Sequence, residues 1–160
     1  MKTLSEPATA SSPVTIHQLV KLIAANALPS AARNSSFIVN EVPETFIIIA
    51  DENILATVLS RLLYSLVNQA ENSCIRVTAN EYDDIIFVHM KSTRGINNHA
   101  IDNDLQQAQS YAKKMNGNVG LSRNEEKVTG IVFSFPNMDF NKSRKNPGSQ
   151  NKTETISNEY

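Results

Sequence analysis

From Asp51 to Ala70 the apolar residues Ile54, Leu55, Val58, Leu59, Leu62, Leu63, Leu66, Val67 and Ala70 fall at steps of three and four. That period predicts a helix with one broad apolar face, which has to be buried. Asp51 stands at the N-cap position, where its carboxylate can accept from the free amides of the first turn and suits the positive end of the helix dipole. Arg61, Ser65, Asn68 and Asn72 form a polar stripe at helical spacing on the other side, expected to be solvated and to carry whatever contacts the helix makes. The period then changes to two. Ile75, Val77 and Ala79 alternate with polar residues, Asp83 and Asp84 turn the chain, and residues 85–91 return, which predicts a hairpin.

The flanking segments follow the same two periods. Thr15 and Gln18 have capping-box spacing ahead of Ile16, Leu19, Val20, Ile23, Ala24 and Ala27, a second amphipathic helix that Pro29 is expected to kink or end. Residues 37–42 and 45–50 read as strands separated by a turn at Val42, Pro43 and Glu44. Residues 92–102 read as a surface loop. Leu105, Ala108, Tyr111, Ala112 and Met115 mark a third helix, with Asp102 or Asn103 as its cap and Gly117 as a left-handed exit. Residues 119–122 and 128–135 form a last hairpin, turned at Asn124, Glu125 and Glu126 and stopped by Pro136. Residues 1–12 are expected to be a disordered leader, 14–136 the single domain and 137–160 a disordered tail.

Composition narrows the partners more than the chemistry. In 160 residues, 41% hydrophobic and 19% charged, there is material for one core. A formal charge of -1 and a pI near 6.3 give no net basic field, so nucleic acid and anionic membranes are not expected partners. No apolar run has the form of a signal peptide or the length to cross a bilayer, and the expected location is cytoplasmic. Cys74 has no second cysteine to pair with and is expected to be a buried, inert thiol, and no His or Cys cluster has metal-ligand spacing. His17, His89 and His99 have no acidic neighbour to tune them and are expected to be ordinary surface or half-buried residues.

The order of helix, strand pair, long helix, hairpin, helix and hairpin over residues 14–136 resembles the ATP-binding domain of sensor histidine kinases, the GHKL or Bergerat ATPase fold. EVPETFIIIADENILATVL resembles the family's strand and acidic cap before its signature helix. RLLYSLVNQAENSCIRV resembles that helix and the strand after it, and LQQAQSYAKKMNGNVGLS with TGIVFSFP resembles the closing helix and last two strands. The resemblance implies an α+β fold, a two-layer sandwich whose mixed, mostly antiparallel sheet carries the helices on one face.

The same resemblance implies that the family's nucleotide chemistry has been lost. Where the signature helix of the family has two asparagines, the second a magnesium ligand, this chain has Arg61 and Ser65 in RLLYSL. A hydroxyl is a poor substitute for an amide oxygen on a hard cation, and a guanidinium repels one. The adenine-binding box D-x-G-x-G-I appears as KSTRGI, with Lys91 at the acidic position, Thr93 at the first glycine, Arg94 between, and Gly95 and Ile96 kept. No glycine-rich lid lies between Ile96 and the third helix, and no helical hairpin with a phosphoacceptor histidine is present. Arg61, Lys91 and Arg94 are expected to converge into a basic remnant of the pocket. Asn68 and Asn72 lack the spacing of a magnesium site and are read as a partner face.

The chain therefore reads as a degenerate, stand-alone histidine-kinase-like ATPase domain without kinase activity and without Mg-ATP as cofactor. Its expected role is a non-catalytic binding module for another signalling protein, a response regulator or a kinase, in two-component or related signalling. The alternative is a nucleotide-binding kinase or ATPase with a remodelled, lid-less pocket.

Overall fold

A computed structural model of the chain describes residues 11–125 and 127–138. Its elements run β1 (Ser11–Thr15), α1 (Ile16–Arg33), β2 (Phe37–Asn40), β3 (Ile47–Asp51), α2 (Glu52–Gln69), β4 (Cys74–Tyr82), β5 (Ile85–Asn97), α3 (Asn98–Ala112), a 3-10 turn (Lys113–Met115), β6 (Asn118–Asn124) and β7 (Lys127–Pro136). The five-stranded sheet has the order β2-β4-β5-β7-β6, with β2 and β4 parallel and the other pairs antiparallel. The three helices lie on one face of it, and β1 pairs antiparallel with β3 in a separate ribbon.

The apolar stripe of α2 supplies the centre of the core. Leu55, Leu59, Leu62, Leu63 and Leu66 are buried against Ile75, Val77, Ile86, Val88, Met90, Ile131, Phe133 and Phe135, the inward residues of β4, β5 and β7. Asp51 caps the helix as expected, its Oδ1 accepting from the amides of Asn53 at 3.0 Å and Ile54 at 3.2 Å. The far end is tied by Asn34, whose Nδ2 donates to the Val67 carbonyl at 2.9 Å and whose own carbonyl accepts from the Asn72 amide at 2.9 Å. Asp83 and Asp84 both have positive φ, 54° and 64°, which gives the β4–β5 hairpin the primed turn that matches strand twist.

Several local expectations are corrected. Thr15 stands at the N-cap of α1 with an extended backbone but makes no side-chain cap hydrogen bond. Pro29 neither ends nor breaks α1, which continues to Arg33 with Ala27 and Ala31 buried on either side of it, so packing outweighs one lost hydrogen bond. The strands expected at 37–42 and 45–50 do not pair with each other, since β2 lies beside β4 and β3 beside β1. The expected loop at 92–102 is divided between β5 and α3, which begins at Asn98, ahead of the caps proposed for it. The left-handed residue at the close of the third helix is Asn116, with φ 56°, and not Gly117. Gly117 is needed for space, because a Cβ there would meet Phe133 Cε1 at 2.8 Å.

The domain limits also move. Ser11 and Ser12, assigned to the leader, are paired with Asp51 and Ala50 in the β1–β3 ribbon. Asn137 and Met138, assigned to the tail, donate backbone hydrogen bonds to Asp84 and Ile49. The rest of the expected leader and tail, residues 1–10 and 139–160, lies outside the described residues, as does Glu126 of the last turn. Cys74 is a free thiol but only half-buried, on the sheet face away from the helices with Arg76.

Candidate functional site: the groove between the second and third helices

Within the polar stripe of α2, Arg61 is turned to α3, while Asn68 and Asn72 are exposed. Arg61 Nη1 donates to Gln107 Oε1 on α3 at 2.8 Å, and the Arg61 guanidinium carbon lies 5.0 Å from the centroid of the Tyr111 ring. Lys114 Nζ lies 5.1 Å from the same centroid. Asp104, Gln107 and Tyr111 are spaced at helical steps of three and four, so one face of α3 is turned to α2. The sequence alone does not mark these α3 residues as functional. Tyr111 packs against the core as the periodicity predicts, and its ring in addition carries two cations, which periodicity does not reveal.

On one side of Arg61 the groove opens into a cleft of about 540 Å³ lined by Ala56, Thr57, Ser60, Tyr64, Ser65, Asn68 and Asp104. Thr57 turns its hydroxyl back to the Asn53 carbonyl at 2.9 Å. Ser65 is the correction here: expected on a solvated stripe, it is 3% exposed, and its Oγ is buried without a hydrogen-bond partner. Leaving a hydroxyl so costs about 1–3 kcal/mol. On the other side of Arg61 lies a smaller cleft of about 320 Å³, lined by Gln107, Ser110, Tyr111 and Lys114.

The remaining residues singled out in the sequence, Asn68 apart, do not join this groove. Lys91 is exposed and alternates with Met90 and Ser92, which are buried toward the helices, so its side chain is on the far face of the sheet. Arg94 is also exposed, and its carbonyl accepts from Ser92 Oγ at 2.8 Å. The expected convergence of Arg61, Lys91 and Arg94 therefore fails. Lys91 follows the regular alternation of β5, and only beyond it, between Lys91 and Ile96, does the register shift, where β5 carries more residues than β7 opposite.

Thr93 and Gly95 line a separate cleft of about 520 Å³ with Asn124, Glu125, Lys127 and Thr129. Thr93 Oγ1 accepts from the Cys74 amide at 3.0 Å, and Gly95 has Lys127 packed where its Cβ would be. Asn68 borders the larger α2–α3 cleft, but Asn72 lies beyond the end of α2 with φ 51° and is occupied with Asn34. The partner face read from those two residues is thus split.

The histidines lie on three different elements. His17 Nδ1 is 2.7 Å from the Val42 carbonyl, and His99 is exposed on α3. His89 is half-buried on the outer sheet face against Phe87, and burial, with the Lys91 charge beside it, lowers its pKa below the ordinary value. Among the described residues no three His, Cys, Asp or Glu side chains are grouped to hold a metal, and no helix is long and apolar enough to cross a membrane.

No family model matches the chain, and no curated protein matches its sequence. Solved structures do match. Full-length ShkA in complex with AMPPNP superimposes with a TM-score of 0.68 at 19% identity, over 84% of this chain and 32% of that one. The histidine kinase AdeS of Acinetobacter baumannii gives 0.71 at 8% identity, over 83% and 70%. The catalytic domain of histidine kinase ThkA in a nucleotide-free form gives 0.63 at 13% identity, over 79% and 95%. ThkA is also known in complex with the response regulator protein TrrA, and that structure matches with a TM-score of 0.63 at 12% identity, over 80% of this chain and 42% of that one. The chain spans 32% of ShkA and 95% of the ThkA catalytic domain. At these identities the likeness is one of architecture, and this chain has the fold of the histidine kinase catalytic domain.

Proposed function

We propose that this domain is a degenerate histidine-kinase-like ATPase module that does not use Mg-ATP and acts by docking a signalling protein, a response regulator or a kinase. The observation that carries the reading is the Arg61 bridge to Gln107 and Tyr111, which fastens α2 to α3 across the groove. A magnesium–nucleotide complex asks that groove for hard oxygen ligands. What it meets is a guanidinium, a Ser65 hydroxyl closed off from solvent and a single carboxylate, Asp104. The direct passage from β5 into α3, Asn97 to Asn98, leaves no connecting segment to close over phosphates. The complex of ThkA with TrrA supports a response regulator as the class of partner to test first.

A second reading has one observation in its favour. The larger cleft, about 540 Å³, lies within the range of small-molecule sites, and a lid-less nucleotide pocket would occupy it. Titration calorimetry with ATP and ADP, with and without magnesium, separates the two. The proposal expects dissociation constants no tighter than about 1 mM. Micromolar binding of ATP or ADP that weakens in Arg61→Ala and is not matched by inorganic phosphate would establish the nucleotide reading instead. The partner is tested by titrating purified receiver domains of response regulators from the same cell against the domain. Saturable binding to one of them is expected, and failure across the set removes the two-component assignment.

A further inference from the structure

The smaller cleft is built unlike the larger one. Two cations, Arg61 and Lys114, sit within 5.0 Å and 5.1 Å of one aromatic centroid, and both line the same 320 Å³ of space. No carboxylate lines it, and neither cation takes part in a salt bridge among the described residues. Like charges held near one ring repel each other, while each is attracted to the ring face. An anion between them removes the repulsion.

We propose that Arg61, Tyr111 and Lys114 form a binding site for the dianion of a phosphate monoester. At neutral pH such a group carries a charge of about -1.5 to -2, matching two cations better than a monocarboxylate does. Arg61 has spent one N–H on Gln107 and keeps further donors in the planar fork that suits phosphate oxygens, while Lys114 adds a mobile point charge. Gln107 gives its carbonyl oxygen to Arg61, which leaves its NH2 group, with the Ser110 hydroxyl, as neutral donors on the cleft wall. Asp104 lies in the larger cleft on the other side of Arg61 and repels an anion from there, so the phosphate is directed to the Lys114 side. The group can be carried by a small phosphorylated molecule or by a phosphorylated side chain of a partner. The site does not depend on whether the larger cleft refuses nucleotide.

The test is a nuclear magnetic resonance titration of the Tyr111 ring with inorganic phosphate, glycerol 2-phosphate and an otherwise uncharged phosphoserine peptide, all without magnesium. A saturable shift is expected with a dissociation constant of about 1 mM or tighter. Lys114→Gln should weaken it about five- to tenfold. Lys114 is exposed, so that chain should keep its melting temperature. Lys113→Gln is the control, because Lys113 lines a different cleft with Asp102 and Gln109, and it should leave the binding unchanged. Equal losses in the two lysine variants would reduce the effect to diffuse attraction and overturn the site, as would the absence of saturation by about 10 mM phosphate. Tighter binding of the phosphopeptide than of glycerol 2-phosphate assigns the site to a protein partner, and equal binding assigns it to a small molecule.

Discussion

Asn137 Oδ1 accepts a hydrogen bond from the Ile49 amide at 3.0 Å, which fastens the chain just past its last strand to β3. The contact is returned by the Met138 amide, which donates to the Ile49 carbonyl at 3.0 Å. Asn137 Nδ2 also reaches the Glu81 carboxylate at 3.3 Å. The β1–β3 ribbon is not part of the five-stranded sheet, and Asn137 is one of the ties that hold it to the β4–β5 hairpin.

Asn137→Ala should therefore destabilise the domain by about 1 kcal/mol or somewhat more, the usual effect of losing a partner for a half-buried backbone amide. Urea unfolding measures it. An unchanged midpoint would mean that the ribbon is held by its apolar contacts alone.

Leu62 and Leu63 are each 1% exposed at the centre of the core, and replacing either with alanine should cost about 2–5 kcal/mol through lost transfer energy and an unfilled cavity. The same urea melts report it. A loss below about 0.5 kcal/mol would show that α2 does not pack on the sheet.

Ser65→Ala should raise stability, by up to about 1 kcal/mol, because it removes a buried hydroxyl that has no partner. The opposite sign, a drop of similar size in the free protein, would show that Oγ is hydrogen-bonded in solution.

The lowered pKa of His89 sets a pH dependence whose sign can be worked out. With the folded pKa below the unfolded value of 6.5, the unfolded chain binds more protons between the two, so stability falls as pH drops through about 6.5 and levels off below the folded pKa. Melts between pH 5 and pH 8 should show this slope, and His89→Gln should flatten it. A slope that survives the substitution would have to arise elsewhere.

The sequence by itself determined the parts of this protein that are local or periodic. The three-and-four spacing of the leucines in α2 fixes a buried helix whatever surrounds it, Asp51 caps that helix through amides two and three residues on, and the Asp83–Asp84 pair sets a turn. Their order along the chain carried the resemblance that implies the fold, and one apolar face on each segment suits a layered arrangement. The tertiary structure alone decided the site. Lys91 turns outward by the regular alternation that buries Ile86, Val88, Met90 and Ser92, but the register shift after it, between Lys91 and Ile96, has no counterpart in the sequence pattern. Whether Ser65 is solvated, and what Arg61 touches, depends on α3, a helix far along the chain that covers part of the stripe the sequence left open. Gln107, Tyr111 and Lys114 share one helical face by their spacing of four and three, but that spacing does not say what lies opposite them. They become a cationic cleft because α3 and the turn after it place them around the Arg61 side chain, and contacts between distant segments of that kind are not encoded in the spacing of either one.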